Sequence, residues 1–200
     1  MILTIVSLLI AFLAIFGFLY YKEFQKKSVA DFSLPGKPLP PDEHLYTNDY
    51  WGFQLHYPGS WYPVIGSYEE GNYYFSSEKI NFLKEMDPDQ AVIHAIPLHN
   101  LKNTDFSTWL TEQESDYFPY GKVKKIDSFP LAGFRTARYS MQPQKVPANM
   151  AYWDMIIVAR DNKRIYEFVL KTSDAATHDR YVEVFESVVK TVRFYDGFGS

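Results

Sequence analysis

Residues 151–194 constrain the fold more than any other stretch of this chain. They read as a β-hairpin followed by an amphipathic helix. Segments 151–160 and 163–172 are rich in β-branched and aromatic residues, and only Asp161-Asn162 separates them. Both of those residues tolerate the left-handed backbone that a tight primed turn requires. A two-residue loop predicts Arg160 opposite Lys163, Ile157 opposite Tyr166, Met155 opposite Phe168 and Trp153 opposite Leu170. Alternate side chains share a face, so Trp153, Met155, Ile157, Tyr166, Phe168 and Leu170 fall on one apolar side. The other side carries Asp154, Ile156, Val158, Ile165, Glu167 and Val169. It is mixed, which implies a second layer over part of it.

A helix follows directly. Ser173 is the expected N-cap, with Asp174 in the first turn where a carboxylate meets the positive end of the helix dipole. Tyr181, Val184, Phe185, Val188 and Val192 recur at helical spacing on one stripe, while Asp179, Glu183, Glu186 and Lys190 lie off it. Its valines lower the helix's own propensity. The helix is therefore expected because it packs on the sheet.

The other strong constraint is at the start. Residues 2–21 contain no charge, and twenty helical residues span about 30 Å, the thickness of a bilayer hydrocarbon core. Tyr20 and Tyr21 stand where interfacial aromatics would, followed by Lys22, Lys26 and Lys27. Residues 1–22 are read as a transmembrane anchor that attaches the protein to a membrane. The alternative is a signal peptide cleaved near Ala30, after Ser28-Val29; the long apolar run without a basic leader favours the anchor. Residues 23–44 hold Pro35, Pro38, Pro40 and Pro41, which favour an extended, semi-rigid tether. The globular domain is assigned to 45–196.

Composition narrows the function classes. With 46% hydrophobic and 18% aromatic residues, the chain can build a large core. It has no cysteine, which excludes disulfides, thiolate metal sites and a thiol nucleophile. The net charge is −4; the first thirty residues hold three lysines and one glutamate, leaving 17 basic and 23 acidic residues, or −6. An acidic domain is a poor partner for nucleic acid.

Within the domain, strands are expected at 53–57, 73–76, 91–98, 122–127 and 134–141, and a helix at 105–117 from its Phe106, Trp109, Leu110 and Tyr117 stripe. Residues 80–86 read as one helical turn or a loop, and 142–149 as a loop. Strands interleaved with two helices make an α+β fold around a mostly antiparallel sheet.

That order carries a resemblance. Tyr46-Thr47-Asn48, Gly52-Phe53 and Tyr57-Pro58 with Trp61 open the domain. Residues 126–131 with Gly133 follow, then Tyr166-Glu167-Phe168, and a closing helix with Tyr181, Phe185, Ser187 and Val188. The pattern, over about 45–194, resembles the PsbP-like superfamily, whose founding members are extrinsic proteins of photosystem II. The resemblance implies an α/β/α sandwich with a central antiparallel sheet. It brings no functional residue, because an anchor and a tether replace the family's own N-terminal segment here. Lysine counting by the positive-inside rule would put the domain in the cytoplasm. The resemblance points outward, and an extracytoplasmic domain is the expectation, with a cytoplasmic face as the alternative.

No motif for nucleophilic, metal or nucleotide chemistry is present. His94 and His99 are five apart and would face opposite sides of a strand, so they cannot chelate one ion locally. His94, sharing a face with Val92 and Ile96, is expected buried and hydrogen-bonded. His178 beside Asp179 is expected as a solvated pair. Asp42-Glu43-His44 and Asp87 with Asp89 are oxygen-rich, but neither matches a calcium loop. No catalytic residue, cofactor or metal is assigned. Aromatics crowd the start of the domain, and Trp51, Trp61, Tyr62 and Tyr68 are the candidate ligand contacts.

The resulting expectation is a non-catalytic, membrane-anchored domain that binds an envelope protein or polymer. One alternative is a glycan- or peptide-binding module using the aromatics near Trp61. Another is a hydrolase with a dispersed site built around His56, His94 or His178.

Overall fold

The computed structural model describes residues 42–65, 72–80, 86–117, 122–126, 131, 133–142 and 152–196. All of them belong to one unit, Pro41–Ser200. The anchor, the tether up to residue 41, Tyr68 and most of the 142–149 loop lie outside the described residues, as do 81–85. Among the described residues, no helix is long and apolar enough to cross a membrane.

The chain builds an α+β fold from antiparallel strands and two helices. Strands β1 (Glu43–Asn48) and β2 (Phe53–Pro58) pair with the short β10 (Arg193–Phe194) in a three-stranded sheet, order β1-β2-β10. The remaining strands are β3 (Tyr62–Ile65), β4 (Tyr73–Ser76), β5 (Ala91–His99), β6 (Lys122–Ile126), β7 (Arg135–Gln142), β8 (Tyr152–Ala159) and β9 (Arg164–Thr172). They form a seven-stranded sheet, order β3-β4-β5-β9-β8-β7-β6. Helix α1 (Phe106–Tyr117) connects β5 to β6, and α2 (Ala175–Lys190) follows β9. The edges of the large sheet are blunted, β3 by Pro63 and β6 by the exposed Lys124 and Lys125, which discourages pairing with another chain.

Both faces of the large sheet are buried, each against different elements. On one, Ile156, Val158, Tyr166, Phe168 and Leu170 pack with Phe53, Leu55 and Tyr57 of the small sheet and with Phe185, Val188, Val189 and Val192. On the other, Met155, Ile157, Ala159, Ile165 and Val169 pack with Phe106, Trp109 and Leu110 of α1. Each fully buried aliphatic or aromatic side chain contributes about 1.5–3 kcal/mol. Four such residues at the end of the chain are enough to dock α2.

The central hairpin is paired one residue out of step with the tight-turn expectation. Ile157 lies opposite Glu167 and Met155 opposite Val169, rather than opposite Tyr166 and Phe168. Arg160 and Arg164 close the turn, the Arg160 N–H donating to the Arg164 carbonyl at 3.1 Å. The loop is therefore three residues long. Its cause is the Asp161 carboxylate, which accepts the N–H groups of Lys163 (2.8 Å) and Arg164 (2.9 Å) and so replaces a primed turn with a side-chain cap. None of the three loop residues takes a positive φ. A slip of one residue moves a strand's whole side-chain set to the other face. Trp153, Met155 and Ile157 accordingly face α1, while Ile156 and Val158 face α2. Burial survives because β8 is apolar on both sides.

The helix start is also displaced by one. Asp174, not Ser173, is the N-cap of α2: its Oδ1 accepts the Thr177 N–H at 2.9 Å. Within α2 the fully buried residues are Thr177, Phe185, Val188 and Val189, and Val192 is buried just past the Thr191 C-cap. Tyr181 and Val184 are partly buried against the same core. Strand β1 begins at Glu43, inside the stretch read as tether, and Gly59 shows why: its N–H donates to the Asp42 carbonyl at 2.5 Å. A Cβ at Gly59 would stand 2.8 Å from that carbonyl oxygen, so only glycine lets the β2 end approach so closely.

Candidate functional site

One end of the large sheet opens into a cleft of about 870 Å³ between the β8–β9 turn, the β5–α1 loop and the chain's tail, lined by His99, Asn103, Asp161, Asn162, Lys163, Arg164 and Asp196. Its walls are held by local hydrogen bonds. Buried Asn100 donates through Nδ2 to the carbonyls of Asn162 and Thr104, each at 2.7 Å, so the two loops are clamped together. Asn103 completes that loop with a φ of +51°, a conformation asparagine tolerates. Arg135 Nη2 donates to Asn162 Oδ1 at 2.7 Å.

Charge in the cleft is organised around two arginines. Arg164 Nε donates to Asp161 Oδ2 at 2.7 Å. Partial burial raises the Asp161 pKa, but the hydrogen bonds from Arg164 and the loop N–H groups outweigh it and the net shift is downward. Arg160 donates through Nη1 to the Tyr195 carbonyl and through Nη2 to Asp196 Oδ1 at 2.6 Å. Arg164 Nη1 stands 3.9 Å from the same Asp196 oxygen.

Aromatic rings form the neighbouring wall. Trp51 sits on the β1–β2 loop with its ring 4.8 Å from that of His99 and 5.3 Å from that of Tyr50. Three hydrogen bonds fix the loop: Trp51 N–H to Asn48 Oδ1 (2.9 Å), Tyr166 Oη–H to the Trp51 carbonyl (2.6 Å) and Gly52 N–H to the Asn48 carbonyl (2.8 Å). Gly52 has a φ of +66°, which suits glycine. The tail is tied to the same loop. Tyr195 donates its N–H to the Gly52 carbonyl at 2.8 Å and its hydroxyl to Asp49 Oδ1 at 2.9 Å. Burial, then Asp49, pushes the Tyr195 phenol well above its ordinary range.

Two other polar clusters lie elsewhere. A groove of about 300 Å³ between the end of β2 and α2 is lined by residues including Asp42, Glu43, His56 and Glu183. His56 Nδ1 is 3.3 Å from Glu43 Oε2 there. At the β7–β8 side, Arg138 grips the buried Asp154 with Nε and Nη2 (3.0 and 2.7 Å) and reaches Glu186 with Nη1 at 2.6 Å. The bonds to Asp154 outweigh burial and raise the Arg138 pKa.

The three described aromatic candidates, Trp51, Trp61 and Tyr62, do not form one cluster. Trp51 stands beside the cleft, its ring against that of the lining residue His99, whereas Trp61 is at the opposite end of β2 and buried, its ring 5.7 Å from that of Tyr181. Tyr62 beside it is exposed, with Lys79 Nζ 6.0 Å from its ring centroid. The three histidines are also apart. His94 is buried, 2.9 Å through Nε2 from Asn72 Oδ1 and stacked 4.2 Å from the Tyr74 ring. Burial, with Lys171 nearby, pulls its pKa down to about 3. His178 lies 3.5 Å from Asp179 and 3.9 Å from Asp154. Among the described residues, no hydroxyl is hydrogen-bonded to the imidazole of His56, His94 or His178, and no three His, Cys, Asp or Glu side chains group as a metal site. Asp89, one of the oxygen-rich pair, instead meets Arg180 at 3.0 Å. Arg160, Lys163, Arg164 and Asp196 were not legible as a site, since turn and tail residues scattered along the chain form no motif.

The fold is PsbP-like, an antiparallel α+β architecture. Its similarity is to the solution structure of cyanobacterial PsbP (CyanoP) from Synechocystis sp. PCC 6803, with a TM-score of 0.50 at 14% identity, covering 83% of this chain and 100% of that one. A Pseudomonas aeruginosa protein of unknown function, PA94, aligns with a TM-score of 0.45 at 12% identity over 72% of this chain and 91% of its own. No family model matches the sequence, and no curated protein matches it.

Proposed function

We propose that this protein is a non-catalytic binding domain, anchored in a membrane by residues 2–21 and held off it, outside the cytoplasm, by the proline-rich tether, where it engages another component of the cell envelope. The cleft at the loop end of the large sheet is the observation that carries this reading. It is wide, it opens where three parts of the chain meet, and its carboxylates and guanidiniums neutralise one another instead of standing poised for proton transfer. Such a surface suits recognition. The anchor reading adds the setting, because twenty uncharged residues followed by lysines match the requirements of a membrane span.

Two measurements test it. Protease added to intact cells is expected to remove the domain and leave a membrane-embedded stub; full protection would place the domain inside and overturn the topology. Recovery of the full-length protein from native membranes under mild detergent is expected to bring down one reproducible partner. Repeated recovery of the protein alone would count against a binding role.

A further inference from the structure

We infer that the cleft recognises an acidic peptide segment of a protein partner, and that the carboxylate of Asp196 occupies the recognition point in cis. The inference rests on the binding-domain reading above and names the chemistry of what is bound. Its first support is an imbalance of exposure. The Arg160 and Arg164 side chains are only 12% and 23% exposed, yet the carboxylate they converge on is 89% exposed. Ion pairs with so exposed a partner hold weakly, so Asp196 is easily displaced while the guanidiniums stay in place.

The second support is shape. Arg160 reads a backbone carbonyl through Nη1, that of Tyr195, and the following side-chain carboxylate through Nη2. That is how a guanidinium fork grips a peptide, and planar forks suit carboxylates in particular. The third is unused capacity. Arg164 Nη1 is 3.9 Å from Asp196, beyond hydrogen-bond reach, and Lys163 on the cleft wall has no ion-pair partner among the described residues. A carboxylate seated slightly deeper would meet both arginines, and a second acidic residue would meet Lys163. The Trp51–His99 ring pair beside them offers a flat surface for a neighbouring side chain.

The test uses the full-length protein in detergent and a fluorescent, end-blocked peptide, Gly-Tyr-Asp-Glu-Asp-Gly. Its twin carries Asn and Gln in place of the acidic residues, and a trigalacturonate supplies the same carboxylate on a sugar. The acidic peptide is expected to bind at least tenfold tighter than the twin and tighter than the sugar. Asp196→Asn removes the internal competitor and should tighten acidic-peptide binding about two- to fivefold. Arg164→Gln should weaken it at least fivefold. Equal binding of the peptide and its twin, tighter binding of the sugar, or no gain from Asp196→Asn would overturn the inference. Asp196 is at the surface, so that variant stays informative should Arg164→Gln unfold the protein. A partner recovered from membranes equally well by wild type and both variants would remove this inference and leave the binding role standing.

Discussion

Replacing His94 by Phe should make the domain markedly more resistant to acid. His94 is 6% exposed, stacked on Tyr74 and bonded to Asn72, and its folded-state pKa is pulled down to about 3 by burial and by Lys171. In the unfolded chain the same imidazole titrates near its ordinary 6.5. Between those values the unfolded state binds a proton that the folded state refuses, so stability is intact above pH 6.5 and falls as pH drops toward 3. Each pH unit in that window is worth about 1.4 kcal/mol. From pH 7 to pH 4.5 the loss assigned to His94 is about 2.5 kcal/mol. Phenylalanine keeps the ring on Tyr74 and removes the titration. Carboxylates also lose their interactions in acid, but they do so in both proteins and cancel in the comparison. Urea unfolding of residues 41–200 at the two pH values should show wild type losing about 2.5 kcal/mol more than His94→Phe. Parallel losses, within about 0.5 kcal/mol, or an imidazole resonance that titrates near 6.5 in the folded protein, would refute the burial argument.

Two further substitutions probe the packing of α2 and the buried ion pair of β7 and β8. Phe185→Ala empties a site that is fully buried between α2 and the two sheets, and should cost about 3–5 kcal/mol in urea unfolding. Arg138→Met leaves the carboxylate of Asp154, 3% exposed, without its guanidinium. That should cost about 3–5 kcal/mol, and adding Asp154→Leu should return much of it, because an uncompensated buried charge is worse than an apolar pair.

Legibility in the sequence followed how many constraints each element carried. Strand β4 and helix α1 were readable to within a residue, because turn residues or a proline-free apolar stripe bounded them. The hairpin register was not. Met155, Ile156, Ile157 and Val158 are apolar in succession, so alternation could not say which side faced α2. The choice then fell to the turn, where the Asp161 carboxylate favoured three residues over two. Ser173 and Asp174 are both good N-caps, and only the bond to Thr177 decides between them. Strands β1 and β10 are held against β2 by the tertiary Asp42–Gly59 and Gly52–Tyr195 approaches rather than marked by pattern, and β3 is only four residues long. The cleft is lined from positions 99, 103, 161–164 and 196, with Trp51 and Arg160 beside it. Proximity of that kind is created by the sheet order, in which β9 lies between β5 and β8.

The most direct measurement places a photo-crosslinking amino acid at Lys163, in the cleft, or at Glu183, in the groove at the other end of β2, within the full-length protein in its native membrane. A binding role centred on the cleft predicts one reproducible adduct to an envelope protein from position 163 and none from position 183. Adducts from position 183 alone, or none from either, would contradict it.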